Sequence, residues 1–433
     1  MQNAAMDSNR TKIKAIVAGS VGNLVEWFDF SIYAIFAAMI ATNFFAMDQS
    51  TSSLMATFAT FAVGFLMRPL GAIVIGAYGD RVGRKKALGL TIIIMGIGTL
   101  LIGILPTHEQ IGMWAPILLV VARLIQGFSA GGEWGGSSTY IVESAEKNSR
   151  GFWGSWQQVS TSGGMLLGSL TGVLLTSTLS NESLMAWGWR IPFVVGGLLG
   201  FIGLYLRRGI EETPEFTRAQ KQGVISKVPF FEAIRNYRKE IMLGMGINIF
   251  WTVAYYGLLT FMPTFLSKFI GLSAKLAFLA STISMVVLMV LIPIMGYWSD
   301  RVGRKPLMLF STMGCILLTY PLFLLIHTGS FLWIILAEIV FCALIAMYAG
   351  PGVAAIVEIF PTKVRYSSLS IGYNISGALF GGTAPFISTF LINQTGSYLS
   401  PAFYIIFAST ITTIILWRMN FNENEMAQET ASL

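Results

Sequence analysis

The chain has 433 residues, of which 54% are hydrophobic and only 11% charged, with a mean hydropathy of +0.68. Ordinary soluble domains carry about a quarter charged residues, so this composition excludes a soluble globular protein. The net charge of +7 and the pI of about 9.3 do not argue for nucleic acid, because cytoplasmic loops of membrane proteins are themselves rich in Lys and Arg and no other nucleic-acid-binding feature accompanies the charge. The partner implied is the lipid bilayer.

Taken in chain order, the N-terminus MQNAAMDSNRTKIK is polar. The first apolar segment is too long for a signal peptide and has no small-residue cleavage site, so it is expected to be a retained span. At roughly 20 apolar residues per crossing, twelve spans are predicted: about 16–45, 53–78, 87–106, 113–142, 151–178, 188–206, 240–267, 275–298, 306–327, 331–357, 366–392 and 398–418. A polar stretch containing RRGIEETPEFTRAQKQ separates spans six and seven. With the N-terminus inside, 23 of the 28 Lys and Arg residues fall on the inner side. Three (Arg190, Lys268, Lys275) fall outside, and Arg68 and Arg123 lie within spans. That asymmetry places both termini in the cytoplasm. Cys315 and Cys342 sit in apolar runs, which implies no disulfide framework. His108 and His327 lie near outer span ends, so no metal site is expected. Without a nucleophile or metal constellation no enzyme and no cofactor is expected either.

One charged phrase is written twice. GDRVGRKK at 79–86 joins spans two and three, and SDRVGRKP at 299–306 joins spans eight and nine. A second echo agrees: Glu143 and Arg150 follow span four, and Glu358 and Arg365 follow span ten, with the same separation. The expected fold is an all-α membrane protein with twelve transmembrane helices in two pseudo-symmetric six-helix bundles. Residues 1–206 would form the first bundle, 207–239 a cytoplasmic linker, and 240–433 the second bundle with a short cytoplasmic tail. Two parallel halves place a binding site between them near mid-membrane.

Charges within the bilayer are costly and read as functional by default. Glu26, Asp29, Arg68, Arg123 and Glu133 fall within the predicted spans of the first half. At a rise of about 1.5 Å per residue, Glu26, Arg68 and Glu133 lie roughly 15 Å from the inner helix ends. Fully ionised, the five sum to −1, so one proton neutralises them. That suits a proton carrier, since burial raises a carboxylate's proton affinity and an alternating partner can move it. Glu26 or Asp29 would carry the proton, with Arg68 or Arg123 as counter-ion. Polar and aromatic candidates for substrate contact are Trp27, Tyr33, Gln157, Gln158, Asn248, Trp251, Tyr255, Tyr256, Tyr373 and Asn374. An aromatic cluster among them could hold a quaternary ammonium, while Arg68 and Arg123 could pair with a substrate carboxylate. Glycines at 127, 131 and 135 in span four, and at 164, 168 and 172 in span five, predict close helix approach.

The repeated loop resembles that of the major facilitator superfamily, whose pattern Gly-x-x-x-Asp-Arg-x-Gly-Arg-Lys stands at Gly76, Asp80, Arg81, Gly83, Arg84 and Lys85 and again at Gly296, Asp300, Arg301, Gly303, Arg304 and Lys305. Within it, GNLVEWFDFSIYA, GFLMRPLGA, RLIQGFSAGGEWGG, WGWRIPF, YYGLLTFMPTFLS and FPTKVRYSSLS resemble the metabolite:proton symporters. The resemblance implies alternating access in a bacterial inner membrane by a monomer. It also implies a cytoplasmic gate of Asp80, Arg81, Arg84, Glu143 and Arg150, mirrored by Asp300, Arg301, Arg304, Glu358 and Arg365. The expected function is a proton symporter importing a small carboxylate-bearing metabolite. The two arginines favour an organic acid such as α-ketoglutarate or citrate. GLYLRRGIEETPEF and YYGLLTFMP resemble proline/betaine transporters instead, and that alternative stays open. The tail MNFNENEMAQETASL has no heptads, which does not suggest the osmosensing coiled coil some of those carry. STSGGMLLGSLTG lacks the Gly-Pro signature of proton-driven exporters, so export is disfavoured.

Overall fold

A computed structural model describes residues 20–45, 50–82, 84–143, 145–208, 235, 237–360 and 365–419. The side chains at 50, 51, 76, 77, 79–82, 84, 85, 140, 143, 206–208 and 365–367 lie outside the described residues. Among the described residues every regular element is helical. The spans are α1 (Ser20–Ile35, continued as Ala37–Phe44), α2 (Ser52–Ile75), α3 (Lys86–Ile104), α4 (Trp114–Thr139), α5 (Lys147–Thr178), α6 (Gly188–Tyr205), α7 (Arg238–Thr260), α8 (Ala274–Val302), α9 (Arg304–His327), α10 (Phe331–Ile359), α11 (Ser368–Thr395) and α12 (Ser400–Arg418). Each is long and apolar enough to cross a bilayer when the two pieces of α1 are taken together.

Helix is the form these segments must take, since a spanning segment has no water to satisfy its backbone and must pair N–H with C=O internally. Side chains are sorted for lipid. Phe310, Leu317, Phe407 and Trp417 face outward, more than half exposed, whereas Asn23, Gln126, Thr161 and Ser311 are fully buried. In water that arrangement would be inverted.

Several spans are not straight. The two pieces of α1 meet at 63° around Phe36, where a single continuous span was expected. α7 passes into π-helix over Tyr255–Thr260 and again, beyond a short α-turn, over Leu266–Ile270. α11 does so over Gly377–Gly381. Pro293, Pro321 and Pro351 lie inside α8, α9 and α10, each removing one helical hydrogen bond.

The small-residue stripes set the spacing of the first bundle. A Cβ on Gly127 would stand 1.6 Å from the Gly64 carbonyl oxygen, and one on Gly131 2.0 Å from that of Arg68. Only glycine lets α4 touch α2 there, and the contact fixes the backbone that carries Arg68. Gly164 and Gly168 do the same for α5 against α1, meeting Leu24 O and Ser31 Oγ. Gly172 of that stripe faces Phe278 of α8 instead.

The two sets of six helices meet along α5 with α8 and α10, and along α2 and α4 with α11. Both ends of this seam are closed. Toward one end Thr264 Oγ1 donates to Ala34 O at 3.2 Å, and Phe58 packs edge-on against Phe261 at 5.6 Å. At the other, Asp300 at the end of α8 accepts the backbone N–H groups of Gly151 and Phe152 at the start of α5, both at 2.8 Å.

Candidate functional site

The centre of the first bundle is built from two carboxylate–guanidinium units stacked along α1. Glu26 Oε1 accepts from Arg68 Nη2 at 2.8 Å, with both side chains buried. One turn outward, Asp29 and Arg123 stand 3.7 Å apart and are joined by Gln126. Its amide nitrogen donates to Asp29 Oδ1 and Oδ2 at 2.9 and 2.8 Å, and its carbonyl oxygen accepts from Arg123 Nη1 at 2.7 Å. An amide carries both a donor and an acceptor, so it can serve an acid and a base together. The same nitrogen reaches Thr99 Oγ1 at 3.0 Å.

Aromatic rings enclose both guanidinium groups. Arg68 lies over Phe30 and Phe65 at 4.6 and 4.3 Å, and Arg123 over Tyr33, Phe30 and Phe61 at 4.4, 4.9 and 5.0 Å. Such cation–π contacts strengthen when desolvated. Tyr33 is anchored by donating to Thr57 O at 3.2 Å, so it lines the Arg123 site.

The seam beside Glu26 and Arg68 is an aromatic cluster contributed by both halves. Trp27 stacks on Tyr256 at 5.5 Å and meets Tyr255 edge-on at 6.1 Å. Trp134 lies flat on Tyr373 at 3.7 Å and edge-on to Trp251 at 6.3 Å. Of the predicted contact residues, Trp27, Trp251, Tyr255, Tyr256 and Tyr373 therefore converge with the Glu26–Arg68 pair.

The others are placed differently. Gln157 and Gln158 bond to each other, and Asn23 of α1 donates to Gln157 O, Ser160 Oγ and Thr161 Oγ1 at 3.2, 2.9 and 2.8 Å. Asn374 donates to Gly131 O and Ser370 O, which ties α11 to α4. Asn248 is fully buried, with neither amide atom hydrogen-bonded among the described residues. The Trp27 Nε1 and the Tyr255 and Tyr256 hydroxyls likewise have no such partner. Native interiors rarely leave polar atoms unsatisfied, which sets these atoms apart from the rest of the interior. Glu133 accepts from Thr91 Oγ1 at 3.2 Å.

At the loop cluster, Arg304 reaches Asp300 at 2.7 Å and Glu358 at 3.5 Å. Two further contacts belong to this cluster in the second half. Asp300 crosses the seam to α5 main chain, as described above, and Arg301 turns out to solvent over its own neighbour Tyr297 at 4.3 Å. The side chains of Asp80, Arg81, Arg84, Glu143 and Arg365 lie outside the described residues. Arg150 begins the helix whose next two N–H groups Asp300 holds.

Sequence reasoning passed over three residues: Gln126, Trp134 and Glu338. Gln126 is uncharged and draws no attention from a search for charges. Trp134 was quoted only as part of GGEWGG, and Glu338 lies in an otherwise apolar run. Among the described residues no group of three or more His, Cys, Asp and Glu could hold a metal ion.

Comparison with known proteins gives a family, two named relatives and a structural neighbour. The family model of the Major Facilitator Superfamily matches residues 19–348 and 271–432. The proline/betaine transporter of Escherichia coli (strain K12) is 36% identical over 410 residues, covering 93% of this chain and 82% of that one. The glycine betaine/proline/ectoine/pipecolic acid transporter OusA of Dickeya dadantii (strain 3937) is 37% identical over 415 residues, covering 94% and 82%. The solved structure of the proton:xylose symporter XylE superposes with a TM-score of 0.79 at 18% identity, covering 95% of this chain and 96% of that one. At that identity it speaks for the fold alone.

Proposed function

The chain belongs to the major facilitator superfamily, and from that premise we propose that it is a proton-coupled symporter importing a small zwitterion of the proline/betaine class. The observation that carries the reading is the meeting of a buried Glu26–Arg68 pair with the aromatic cluster of Trp27, Tyr255, Tyr256, Trp134 and Tyr373. Arg68 offers a carboxylate its guanidinium, Glu26 balances an ammonium, and the rings suit a quaternary nitrogen. The two named relatives supply the substrate class.

The organic-acid expectation rested on two buried arginines and on a tail without a coiled-coil extension. Both arginines now have internal carboxylate partners, so the site has no surplus positive charge for a di- or tricarboxylate. A zwitterion brings no net charge and requires none.

Asp29 is the proton carrier in this reading, because Gln126 lets it exchange a proton while Arg123 keeps a partner. Asp300, Arg304 and Glu358 act as one gate. The units are 1–206, a linker over 207–239, and 240–433, both termini face the cytoplasm of a bacterial inner membrane, and the working unit is a monomer. The test is uptake into proteoliposomes under an imposed inward proton gradient, with glycine betaine, proline, citrate and α-ketoglutarate in parallel. Gradient-dependent, saturable accumulation of betaine or proline is expected. Accumulation of an acid alone would overturn the substrate class, and betaine entry indifferent to the gradient would overturn proton coupling.

A further inference from the structure

A buried acid with no base stands in the second bundle. Glu338 of α10 is 4% exposed. No Lys, Arg or His is paired with it among the described residues, and the neighbouring side chain that acts on its carboxyl is Ser284 of α8. Its Oε1 has no hydrogen-bond partner there. A small cavity opens beside it, lined by Leu258, Leu259, Ser281, Ser284, Met285 and Cys342. Ser281 Oγ, buried at 3%, is also without a partner. The titratable groups nearby are neutral ones: Cys342 on the same helix and, beyond it, Tyr255 of α7. α9 turns Phe323 toward Phe341 and Ser311 toward Leu344 of α10.

Counting protons at Ser284 decides the state of this acid. Ser284 Oγ lies 2.5 Å from Glu338 Oε2 and 2.9 Å from Ala280 O. A hydroxyl has one hydrogen to give, and a carboxylate has none. With Glu338 ionised, one of the two contacts sets oxygen against oxygen with no proton between them. With Glu338 protonated, its O–H donates to Ser284 Oγ, the serine donates to Ala280 O, and both contacts are filled. The bare Oε1 then becomes a neutral carbonyl, whose burial costs far less than that of a charged oxygen.

We infer that Glu338 is a proton-binding site of the second bundle, loaded as a neutral carboxylic acid in the form seen here and discharged when the seam between α7, α8 and α10 admits water. On discharge the carboxyl O–H bond breaks, the proton forms a new O–H bond on water, and the Ser284 hydroxyl turns to donate to the carboxylate left behind. Leu258 and Leu259, which wall the cavity, belong to the π-helical part of α7, so a movement of that segment opens the site. The discharge step rests on the symport reading; the bound proton does not.

The experiment is infrared spectroscopy of the full chain in lipid nanodiscs, in H2O and in D2O. A carbonyl band of a protonated carboxyl, lowered in D2O, is expected in the unaltered protein and in Asp29→Asn. It should be lost in Glu338→Gln and displaced in Ser284→Ala. A band unchanged in Glu338→Gln overturns the inference. So does a band that vanishes when sodium replaces choline at constant pH, since the site would then take a metal cation. For the second step, Glu338→Gln should lose gradient-driven accumulation of glycine betaine; accumulation equal to that of the unaltered protein overturns the discharge. If the unaltered protein moves no betaine at all, the symport reading fails while the infrared result stands.

Discussion

The centres of the two bundles solve the burial of charge in opposite ways. In the first, two acids are matched by bases: Glu26 with Arg68, and Asp29 with Arg123 through Gln126. In the second, Glu338 has Ser284 and a cavity, and the neighbouring polar groups, Asn248 and the Tyr255 hydroxyl, have no hydrogen-bond partner among the described residues. One side holds its acids against guanidinium groups. The other holds its acid among neutral polar groups. A transporter needs both, because a site satisfied on every side would bind nothing, and a site of bare charges would not fold.

The largest effect should come from breaking the matched side. Arg68→Ala strips the cation from Glu26, and losing one partner of a buried pair costs about 3–5 kcal/mol. A lower unfolding temperature in detergent and abolished uptake are expected; uptake near the unaltered rate would show that the pair is not the anchor. Asp29→Asn should come next. Gradient-driven accumulation should disappear while exchange of betaine persists, read by counterflow in vesicles. Persistent accumulation would move the proton role to another carboxyl.

A smaller effect is expected at the end of the seam. Hydrogen bonds to a charged group contribute about 1.5–3 kcal/mol, so Asp300→Asn should loosen α8 from the start of α5 without unfolding either helix. Maleimide should then reach a cysteine introduced as Ser155→Cys faster than in the same variant with Asp300 intact. The smallest change concerns the neutral polar side. Tyr256→Leu removes one ring of the cluster, a cation–π loss of about 0.5–2 kcal/mol, or roughly 2- to 30-fold in apparent affinity for glycine betaine. Equal loss for an uncharged competitor would show that the ring provides only apolar surface.

Much of this was legible in the sequence. The positions of the spans follow from apolar runs, and the duplicated DRVGRK phrase gives the two-fold plan, because both are properties of composition along a line. The Glu26–Arg68 and Asp29–Arg123 pairings were foreseeable as a set, since a buried acid needs a nearby base, although the partners could not be told apart. What escaped were features that depend on three dimensions. YYGLLT reads as ordinary helix, and its π turn comes from packing. Gln126 becomes important only because Asp29 and Arg123 lie on either side of it. Glu338 was missed because nothing in its apolar neighbourhood hints at a partner, and its isolation is the very point of interest. The two arginines point toward an organic acid for the same reason: the sequence shows a charge but not whether a neighbour already pairs with it.

The contact between Asp300 and α5 has a consequence for heredity. Its acidic half is a side chain, open to substitution, but its other half is the peptide N–H of Gly151 and Phe152. Every residue except proline presents that group, so at Phe152 only a change to proline removes the donor, whereas at Gly151 any Cβ would press on Ser299 Oγ and the Gly296 carbonyl. Revertants selected for restored uptake after Asp300→Ala should therefore arise in helices that reset the balance between the two ends, and hardly ever as a new side chain at position 152. At position 152 the lock is thus carried by the main chain and not by the side chain.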